Sequence, residues 1–342
     1  MTAPRATIIV SQRERFGMTK ESLDSLYANT DPAEMEVIYV DGKSPPRIKA
    51  LLEQEAAERG FRLIRKEQFL TPNQARNIGV AEAKTEYVVF VDNDVLFAPG
   101  WLPALIACAD EEGASIVAPL TCQGLPAHSE IHHAGGDYAP GGDMAGFFEN
   151  NPEHGRAFDE VMHGHAEKVA DWQARMTRKQ TGMCEFHCAL ARRDVFDTVG
   201  PLDEKLMSTK EHIDFSMSVR QAGGTVWFEP ASVITYVFPC RARPMTPEDW
   251  PFFALRWSDA YGSRSLQHFI EKWNLKPRAD YVDSKRRTYA GRRMQGMLVP
   301  MMRGLPVVGR NDKIARKLAR ASMFPERLVN AALVRRQDRQ DA

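Results

Sequence analysis

The chain has 342 residues, of which 43% are hydrophobic and 26% are charged. This size and composition suit one large globular domain or two modest ones. Its 45 Lys and Arg residues balance its 45 Asp and Glu residues, so the formal net charge is zero. A neutral chain is not a broadly basic nucleic-acid-binding protein, and we expect no nucleic-acid partner.

The charge is unevenly distributed along the chain. From Lys285 to the C-terminus there are about fifteen Lys and Arg residues against four Asp and Glu residues. The rest of the chain is therefore acidic by the same excess. This division predicts a basic tail attached to an acidic body.

The cysteine content indicates a reducing compartment. There are five cysteines, an odd number without framework spacing, so we expect free thiols and a cytoplasmic protein. The first residues, MTAPRATIIVSQRERF, lack the pattern of a secretory signal. No run approaches the roughly eighteen apolar residues of a membrane span.

The first 119 residues alternate between strand and helix patterns. The predicted strands are Ala6–Ser11, Glu36–Asp41, Phe61–Arg65, Tyr87–Asp92 and Ser115–Pro119. The predicted helices are Thr19–Ala28, Pro46–Arg59, a Thr71-capped helix to about Ala83, and Trp101–Glu112. This alternation predicts an α/β fold with a mainly parallel sheet flanked by helices.

The middle of the chain is less regular. Between Gln123 and Gln180 we predict hairpins, loops and one helix near Glu160–Lys179. Later predicted elements are a strand at Glu185–Arg192, a helix at Ser208–Ala222, a strand at Thr225–Glu229 and an aromatic-rich helix at Trp250–Trp273. We divide the chain into an α/β domain (1–245), a helical segment packing on it (246–284) and a basic amphipathic tail (285–342).

Polar residues end three of the predicted strands: Ser11, Asp41 and Asp92. In parallel sheets, ligands bind beyond the carboxyl ends of the strands, so this edge is the predicted site. In the stretch VVFVDNDV, Asp92 and Asp94 lie one residue apart and face the same side of an extended backbone. Two carboxylates so placed repel each other unless a cation such as Mg²⁺ or Mn²⁺ lies between them. The alternative is the polar start of a loop.

Two other residues near this edge are candidates for ligand binding. Asp41 could accept hydrogen bonds from a base or ribose, although Asp41-Gly42 is also a common turn. Arg76, on the helix before VVFVDNDV, could bind a phosphate in bidentate fashion. An exposed helical arginine is the ordinary alternative.

The stretch KEHIDF places two acids around a histidine at the start of a helix. Glu211 and Asp214 are three residues apart and share a helix face. One acid near a helix N-terminus is explained by the macrodipole, but the group around His212 exceeds that need. A histidine or carboxylate here is a candidate general base.

The histidines of the middle segment do not form a recognisable zinc pattern. They are His128, His132, His133, His154, His163 and His165. No H-x₃-H or HExxH spacing occurs among them, and Cys184-x₃-Cys188 with His187 between is a poor match. The sequence therefore does not predict a structural zinc site.

Four stretches in a fixed order resemble the family 2 glycosyltransferases, which have the GT-A fold. They are EVIYVDGKSP, PNQARNIGVAEAKTEYVVFVDNDV, CALARRDVFDTVGPLDEKL and KEHIDFSMSVRQAGGTVWFEPASVI. The resemblance covers roughly Ala6 to Val237. Each motif is short, and their order and spacing make the match specific.

The resemblance implies a role for each matching residue. Contacts with the donor nucleotide are implied at Ser11, Asp41, Arg76, Asn77, Asp92 and Asn93. A divalent metal, Mn²⁺ or Mg²⁺, is implied at Asp92 and Asp94. The acidic motif at the helix start implies catalytic residues among Glu211, His212 and Asp214.

The resemblance also implies an enzyme. Such an enzyme moves a sugar, with inversion, from a nucleotide-sugar, which we expect to be a UDP-sugar, to a hydroxyl of a glycan or lipid-linked acceptor. The context is cell-surface glycan synthesis. The alternatives are a retaining GT-A transferase and a catalytically inactive nucleotide-binding subunit of a glycan assembly complex.

Two positions depart from the family's pattern. His212 stands where the family has the Asp that serves as base, so the candidate base is His212 or Asp214. Thr235 and Tyr236 stand where many relatives have a histidine that completes the metal site. Either the metal is held more weakly or another residue contributes.

The basic tail mixes Lys and Arg with Met, Leu, Val and Phe, as in ARKLARASMFPERLVNAALVRR. Basic amphipathic segments can lie on an anionic membrane surface, which would place the protein at the inner face of the membrane. The alternative is a helical appendage that packs on the domain or on an oligomer partner.

Overall fold

A computed structural model describes residues 3–144, 146–149, 153, 155–238, 243–306, 308 and 311–341. The strands are β1 (Ala6–Gln12), β2 (Met35–Gly42), β3 (Arg62–Lys66), β4 (Tyr87–Asp92), β5 (Val95–Phe97), β6 (Ile116–Gln123), β7 (Ile131–His133), β8 (Gly136–Asp137), β9 (Arg156–Phe158), β10 (Val161–Met162), β11 (Lys179–Gln180), β12 (Cys188–Arg192), β13 (Val226–Tyr236) and β14 (Leu275–Pro277). His154 and Cys240 lie outside the described residues.

The helices of the N-terminal part are α1 (Thr19–Ala28), α2 (Pro46–Arg59), α3 (Pro72–Glu82), α4 (Trp101–Glu112), α5 (Gly146–Glu149), α6 (Val169–Trp172), α7 (Val195–Val199) and α8 (Glu211–Gln221). Those of the C-terminal part are α9 (Trp250–Arg256), α10 (Asp259–Lys272), α11 (Tyr281–Arg293), α12 (Val299–Arg303), α13 (Asp312–Ala321) and α14 (Met323–Asp341).

A curled central sheet confirms the predicted α/β class. Its strand order is β11-β13-β6-β12-β4-β1-β2-β3. The run β4-β1-β2-β3 is parallel, as is the pair β6-β13, whereas β12 is antiparallel to both of its neighbours. The sheet is therefore mixed and mostly parallel, with helices packed against it.

The register of the parallel strands brings the predicted ligand edge together. Ser11 pairs with Asp92 on one side and with Val40 on the other. All six residues of β4 are buried, as its apolar sequence predicts. Helix α3 lies close to β1 at Gly79, where an added Cβ would be 2.3 Å from Ile9 Cγ2. Only glycine permits that approach, and it lets α3 pack closely on β1.

The predicted helix at Glu160–Lys179 is wrong. This stretch contains β10, the four-residue helix α6 and the first residue of β11. Gly164 and Ala166 have positive φ angles of 69° and 64°, which a right-handed helix cannot accommodate.

Two predicted elements differ in length. The strand predicted at Thr225–Glu229 continues to Tyr236 as β13, with an irregularity between Glu229 and Val233. The helix predicted at Trp250–Trp273 divides into α9 and α10, because the Ser258 side chain accepts a hydrogen bond from Tyr261 N and caps a new helix.

The C-terminal helices pack on the rest of the protein. Arg293 is fully buried and donates to Glu326 (2.8 Å), to Asp259 (3.0 Å) and to the carbonyl oxygen of Trp257. Asn330 donates to the carbonyl oxygen of Ala254 at 2.6 Å. These contacts tie α11 and α14 to α9 and α10. In the described part of the chain, no helix combines the length and apolar character needed to cross a membrane.

Candidate active site

A cavity of about 200 Å³ lies at the carboxyl edge of the sheet. It is lined by residues of α3, β4, β7, β10, α8, β13, α9 and α11 and by the segment that precedes β12. Its basic residues are Arg13, Arg76, Lys210, Arg256, Lys285 and Arg292, and its acidic residues are Asp92, Glu160, Glu185 and Glu211. His132, His187 and His212 also line it. The cavity therefore offers cations for an anionic ligand and groups that can accept a proton.

Asp92, at the end of β4, is surrounded by donors. Arg13 Nη2 donates to its Oδ2, His187 Nδ1 lies 2.9 Å from the same oxygen, and Arg76 Nη2 lies 3.5 Å from Oδ1. Burial alone would raise the pKa of Asp92, but the charge of Arg13 and the His187 hydrogen bond hold it below its usual range. Asp92 is thus ionised and its charge is compensated by protein groups.

Asp94 lies in a different environment. It is buried, and its closest cation, Arg15 Nε, is 3.9 Å from Oδ2. Burial, followed by the negative charge of Asp92, raises its pKa to about 7. Asp94 is not among the described residues that line the cavity. One oxygen of each aspartate, Oδ1, is buried without a hydrogen-bond partner.

Asn93, between the two aspartates, positions the loop that follows β1. Its Nδ2 donates to the carbonyl oxygen of Glu14 at 2.8 Å, and its Oδ1 accepts from Arg13 N at 3.4 Å. Arg256 in turn donates to the Glu14 carboxylate. This arrangement holds Arg13 at the cavity wall.

Arg76 projects from α3 into the cavity wall. Its guanidinium lies 4.2 Å from the ring centroid of Phe186, in addition to its contact with Asp92. Burial lowers its pKa to about 10, so it remains cationic at neutral pH. The neighbouring Asn77 instead bonds Leu202 O (2.9 Å) and Glu204 (2.8 Å), and it ties α3 to the segment before α8.

The other two predicted nucleotide contacts are buried away from the cavity wall. Ser11 is buried and its Oγ has no hydrogen-bond partner. Asp41 accepts from Ser44 N (3.0 Å), from Ser44 Oγ (2.9 Å) and from Arg65. In this part of the edge, Phe252 of α9 packs on Phe16, with ring centroids 5.0 Å apart.

The start of α8 brings an acid and a histidine to the cavity. Lys210 precedes the helix in a left-handed conformation (φ 73°), and Glu211 follows at its first position. Glu211 is buried, and its Oε2 has no hydrogen-bond partner. His212 Nε2 lies 3.4 Å from Glu185 Oε1. Burial lowers the pKa of His212 to about 3, and burial with nearby acids raises that of Glu185 to about 8.

Asp214 faces away from the cavity. Lys272 Nζ (2.9 Å) and Trp273 Nε1 (2.7 Å) both donate to its carboxylate. Burial raises its pKa, and the charge of Lys272 opposes that shift. The structure therefore separates the three predicted catalytic residues: Glu211 and His212 line the cavity, and Asp214 links α8 to the end of α10.

The structure also brings together Glu185 and two histidines, His132 and His187, that no sequence pattern assigned to a metal site. One potential ligand atom from each of His132, Glu185 and His187 lies within 4.8 Å of the others. His187 stacks on Tyr236 with centroids 3.9 Å apart. His132 lies more than fifty residues from the other two, so no spacing pattern could reveal this triad. The pairing of β7 with β6 brings His132 to this part of the sheet.

Comparison with known proteins identifies the chain as a glycosyltransferase with the GT-A fold. The family model described as "Glycosyl transferase family 2" matches residues 7–200, and the chain belongs to that family.

Two curated proteins are similar in sequence. The uncharacterized protein y4gI of Sinorhizobium fredii is 26% identical over 286 residues, covering 81% of this chain and 28% of that protein. The O-antigen biosynthesis protein RfbC of Myxococcus xanthus is 26% identical over 222 residues, covering 64% of this chain and 16% of that protein. The chain thus spans less than a third of either relative.

Solved structures share the fold. GalNAc-T7, crystallised with UDP, GalNAc and Mn²⁺, has a TM-score of 0.53 at 15% identity, covering 89% of this chain and 58% of that one. The mannosyltransferase PcManGT of Pyrobaculum calidifontis, in complex with GDP-Man and Mn²⁺, has a TM-score of 0.51 at 16% identity, covering 99% and 87%. At these identities the likeness establishes the GT-A fold.

Proposed function

We propose that this protein transfers a sugar from a nucleotide-sugar donor to a hydroxyl group of a glycan or lipid-linked acceptor, with inversion. The observation that carries this proposal is one cavity combining Arg13 and Arg76 with the unpartnered carboxylate oxygen of Glu211. Transfer requires both features, because a diphosphate leaves as a proton is removed from the acceptor.

The arginines suit the diphosphate of the donor. Guanidinium groups bind phosphate oxygens in bidentate fashion and keep their charge when buried. Arg13 and Arg76 are buried and already oriented by Asp92, so little conformational entropy is lost when they bind an anion. They would stabilise the negative charge that grows on the diphosphate as the glycosidic bond breaks.

A divalent metal at Asp92 and Asp94 belongs to the same proposal. The fit rests on the two buried Oδ1 atoms, which no donor satisfies and which a hard cation would accept as ligands. A bound Mn²⁺ or Mg²⁺ would supply additional positive charge for the leaving diphosphate. Both solved relatives described above hold Mn²⁺.

Glu211 is the base that the geometry favours among the three predicted residues. Its Oε2 would accept the proton of the acceptor hydroxyl as the acceptor oxygen bonds the anomeric carbon. The bond from that carbon to the diphosphate oxygen breaks in the same displacement, so the configuration inverts. His212 is a weaker base, because burial lowers its pKa to about 3.

The proposal is tested by a donor screen. The relatives' complexes with UDP and with GDP-Man suggest that uridine and guanosine donors both belong in it. Thermal shift of the full chain with Mn²⁺ identifies a donor, and release of nucleoside diphosphate measures turnover. We expect turnover on addition of a glycan acceptor and an inverted product by NMR. Donor binding without turnover of any acceptor would favour an inactive subunit, and a retained configuration would favour a retaining enzyme.

We further propose that the C-terminal helices contact an anionic membrane surface during glycan assembly, as the O-antigen relative's role would suit. Helices α13 and α14 expose large apolar side chains: Ile314, Leu318, Phe324, Leu328 and Val329. Phe324 is 72% exposed. Lys313, Lys317 and Arg320 of α13 are exposed beside them, which complements acidic headgroups.

Liposome co-sedimentation of the full chain tests this contact. A truncation is unsuitable, because Arg293 and Asn330 tie the tail to the helices α9 and α10. We expect Phe324→Glu with Leu328→Glu to reduce pelleting with acidic vesicles. The matched control changes Leu125 and Val161, which are exposed apolar residues of the middle segment. Equal pelleting of both double variants would refute membrane contact through α14.

A further inference from the structure

We propose that His132, Glu185 and His187 form a divalent transition-metal centre in the wall of the cavity, with Asp92 as the residue that orients His187. Three facts support it: the close approach of one ligand atom from each residue, the exposure of all three to the cavity, and hydrogen bonds that orient both imidazoles. None of the predicted metal ligands belongs to this triad.

The hydrogen bond of His187 sets its tautomer. Its Nδ1 lies 2.9 Å from Asp92 Oδ2, an acceptor, so Nδ1 carries the proton and Nε2 carries the lone pair. A carboxylate behind a histidine is the usual second partner of a metal-binding imidazole. Stacking on Tyr236 at 3.9 Å further holds the ring in place.

His132 is oriented in a similar way by an amide. Its Nδ1 lies 3.1 Å from Gln123 Oε1. The assignment of that amide is fixed by its other end, since Gln123 Nε2 donates to Glu130 Oε1 at 2.5 Å. His132 therefore donates from Nδ1 and presents the lone pair on Nε2. The His132 and His187 rings lie 5.2 Å apart, centroid to centroid.

Glu185 would supply the third ligand through a carboxylate oxygen. Its carboxylate lies two residues before His187, and its Oε1 is 3.4 Å from His212 Nε2. Zinc binds imidazole nitrogen and carboxylate oxygen at about 2.0–2.2 Å, so the triad would contract slightly around an ion. Three protein ligands leave a coordination position that opens to the cavity.

The donor set selects the kind of ion. Two imidazoles and one carboxylate suit Zn²⁺, Co²⁺ and Fe²⁺, whereas an all-oxygen site such as Asp92 with Asp94 suits Mg²⁺ and Mn²⁺. We therefore expect the triad to prefer Co²⁺ and Zn²⁺ over Mg²⁺. The triad also offers imidazoles in a chain that has Thr235 and Tyr236 where many relatives place a metal-binding histidine.

Any part that the triad plays in sugar transfer rests on the proposed function. An ion there would lie near Asp92 and the arginines, where the donor diphosphate would bind. Binding of the ion to the triad does not require the nucleotide-sugar donor. A protein that binds the ion through the triad but transfers no sugar would support the inference and refute the transferase.

The test is a Co²⁺ titration of the full chain after EDTA treatment, followed by calorimetry and by visible absorption. We expect one tightly bound Co²⁺ ion at the triad, apart from weaker binding at Asp92 and Asp94, and an affinity of the triad for Mg²⁺ at least about tenfold lower. His132→Gln, Glu185→Gln and His187→Phe should each weaken Co²⁺ binding by more than about tenfold. Phenylalanine at 187 keeps the ring that stacks on Tyr236, and thermal unfolding checks that each variant is folded.

His163→Gln is the matched control. It removes another histidine of the middle segment that faces a carboxylate, Asp137 at 3.0 Å, but does not line the cavity. We expect wild-type Co²⁺ affinity in this variant. Wild-type affinity in all three triad variants would overturn the inference. Loss of binding in Asp94→Asn with retention in the triad variants would likewise overturn it and assign the ion to the aspartates.

Discussion

The two walls of the cavity treat their charges in opposite ways. On the sheet wall, Asp92 is compensated by Arg13, Arg76 and His187, so its carboxylate is ionised and held in place. On the helix wall, Glu211 Oε2 and His212 Nε2 have no hydrogen-bond partner. A compensated wall suits the binding of a charged ligand, whereas an unsatisfied acceptor suits removal of a proton.

The largest effect is expected from the helix wall. Glu211→Gln keeps the shape of the side chain but removes its capacity to accept a proton, so we expect turnover to fall about 10²–10⁴-fold. Donor binding, measured by calorimetry, should stay near the wild-type value. A large loss of donor affinity with unchanged turnover per bound donor would place Glu211 on the binding side instead.

On the sheet wall, a substitution should weaken donor binding rather than turnover. Arg76→Gln removes a buried cation, and we expect donor affinity to weaken about 10- to 100-fold, in line with the loss of a charged hydrogen bond. The matched control is Arg62→Gln, because Arg62 pairs with Glu82 at the surface and is 55% exposed. Calorimetry with the nucleoside diphosphate would contradict the prediction if both variants bound equally.

The pH dependence of folding separates the two aspartates. The folded protein holds the Asp94 proton up to about pH 7, whereas the unfolded chain releases it near the ordinary aspartate pKa of 3.8. The free energy of unfolding therefore falls as pH rises through this window. Without metal, wild type should lose roughly 2–3 kcal/mol more than Asp94→Asn between pH 5 and pH 8. Urea denaturation at each pH gives the free energy of unfolding. An equal pH dependence of that free energy in the two proteins would disprove the raised pKa of Asp94.

The smallest effect on turnover is expected from Asp214→Asn. This carboxylate bonds Lys272 and Trp273 and does not line the cavity, so we expect turnover within about twofold of wild type. The free energy of unfolding should fall by about 1–3 kcal/mol, because a buried charged hydrogen bond is weakened. A turnover loss equal to that of Glu211→Gln would assign Asp214 a catalytic role.

Local patterns predicted the sheet, and of the three strand-end residues they placed at its carboxyl edge, Asp92 lines the cavity whereas Ser11 and Asp41 do not. The strands β1, β2 and β4 are apolar runs that end in polar residues, and the Thr71-Pro72 signal opened α3 as expected. The sheet class and the family were therefore readable from the sequence. The placement of Arg76 at the cavity also agrees with its prediction as a phosphate-binding residue, which stays a proposal.

Other features depend on contacts that are distant in sequence. No pattern shows that Arg13 would compensate Asp92, or that Asp214 would turn toward Lys272. The triad joins His132 of β7 to Glu185 and His187 of the segment before β12, more than fifty residues away. The helix predicted near Glu160 failed because positive φ angles at Gly164 and Ala166 outweigh the local helical pattern.

The contribution of α11 to the cavity has a practical consequence for dissecting this protein. The cavity is lined by four residues of α11 beyond the predicted boundary at residue 284: Lys285, Thr288, Tyr289 and Arg292. The smallest unit able to fold with a complete cavity therefore extends into the basic segment. An expression boundary drawn at residue 200, the end of the family match, would remove α8, β13 and α11 together and would leave the cavity without most of its lining.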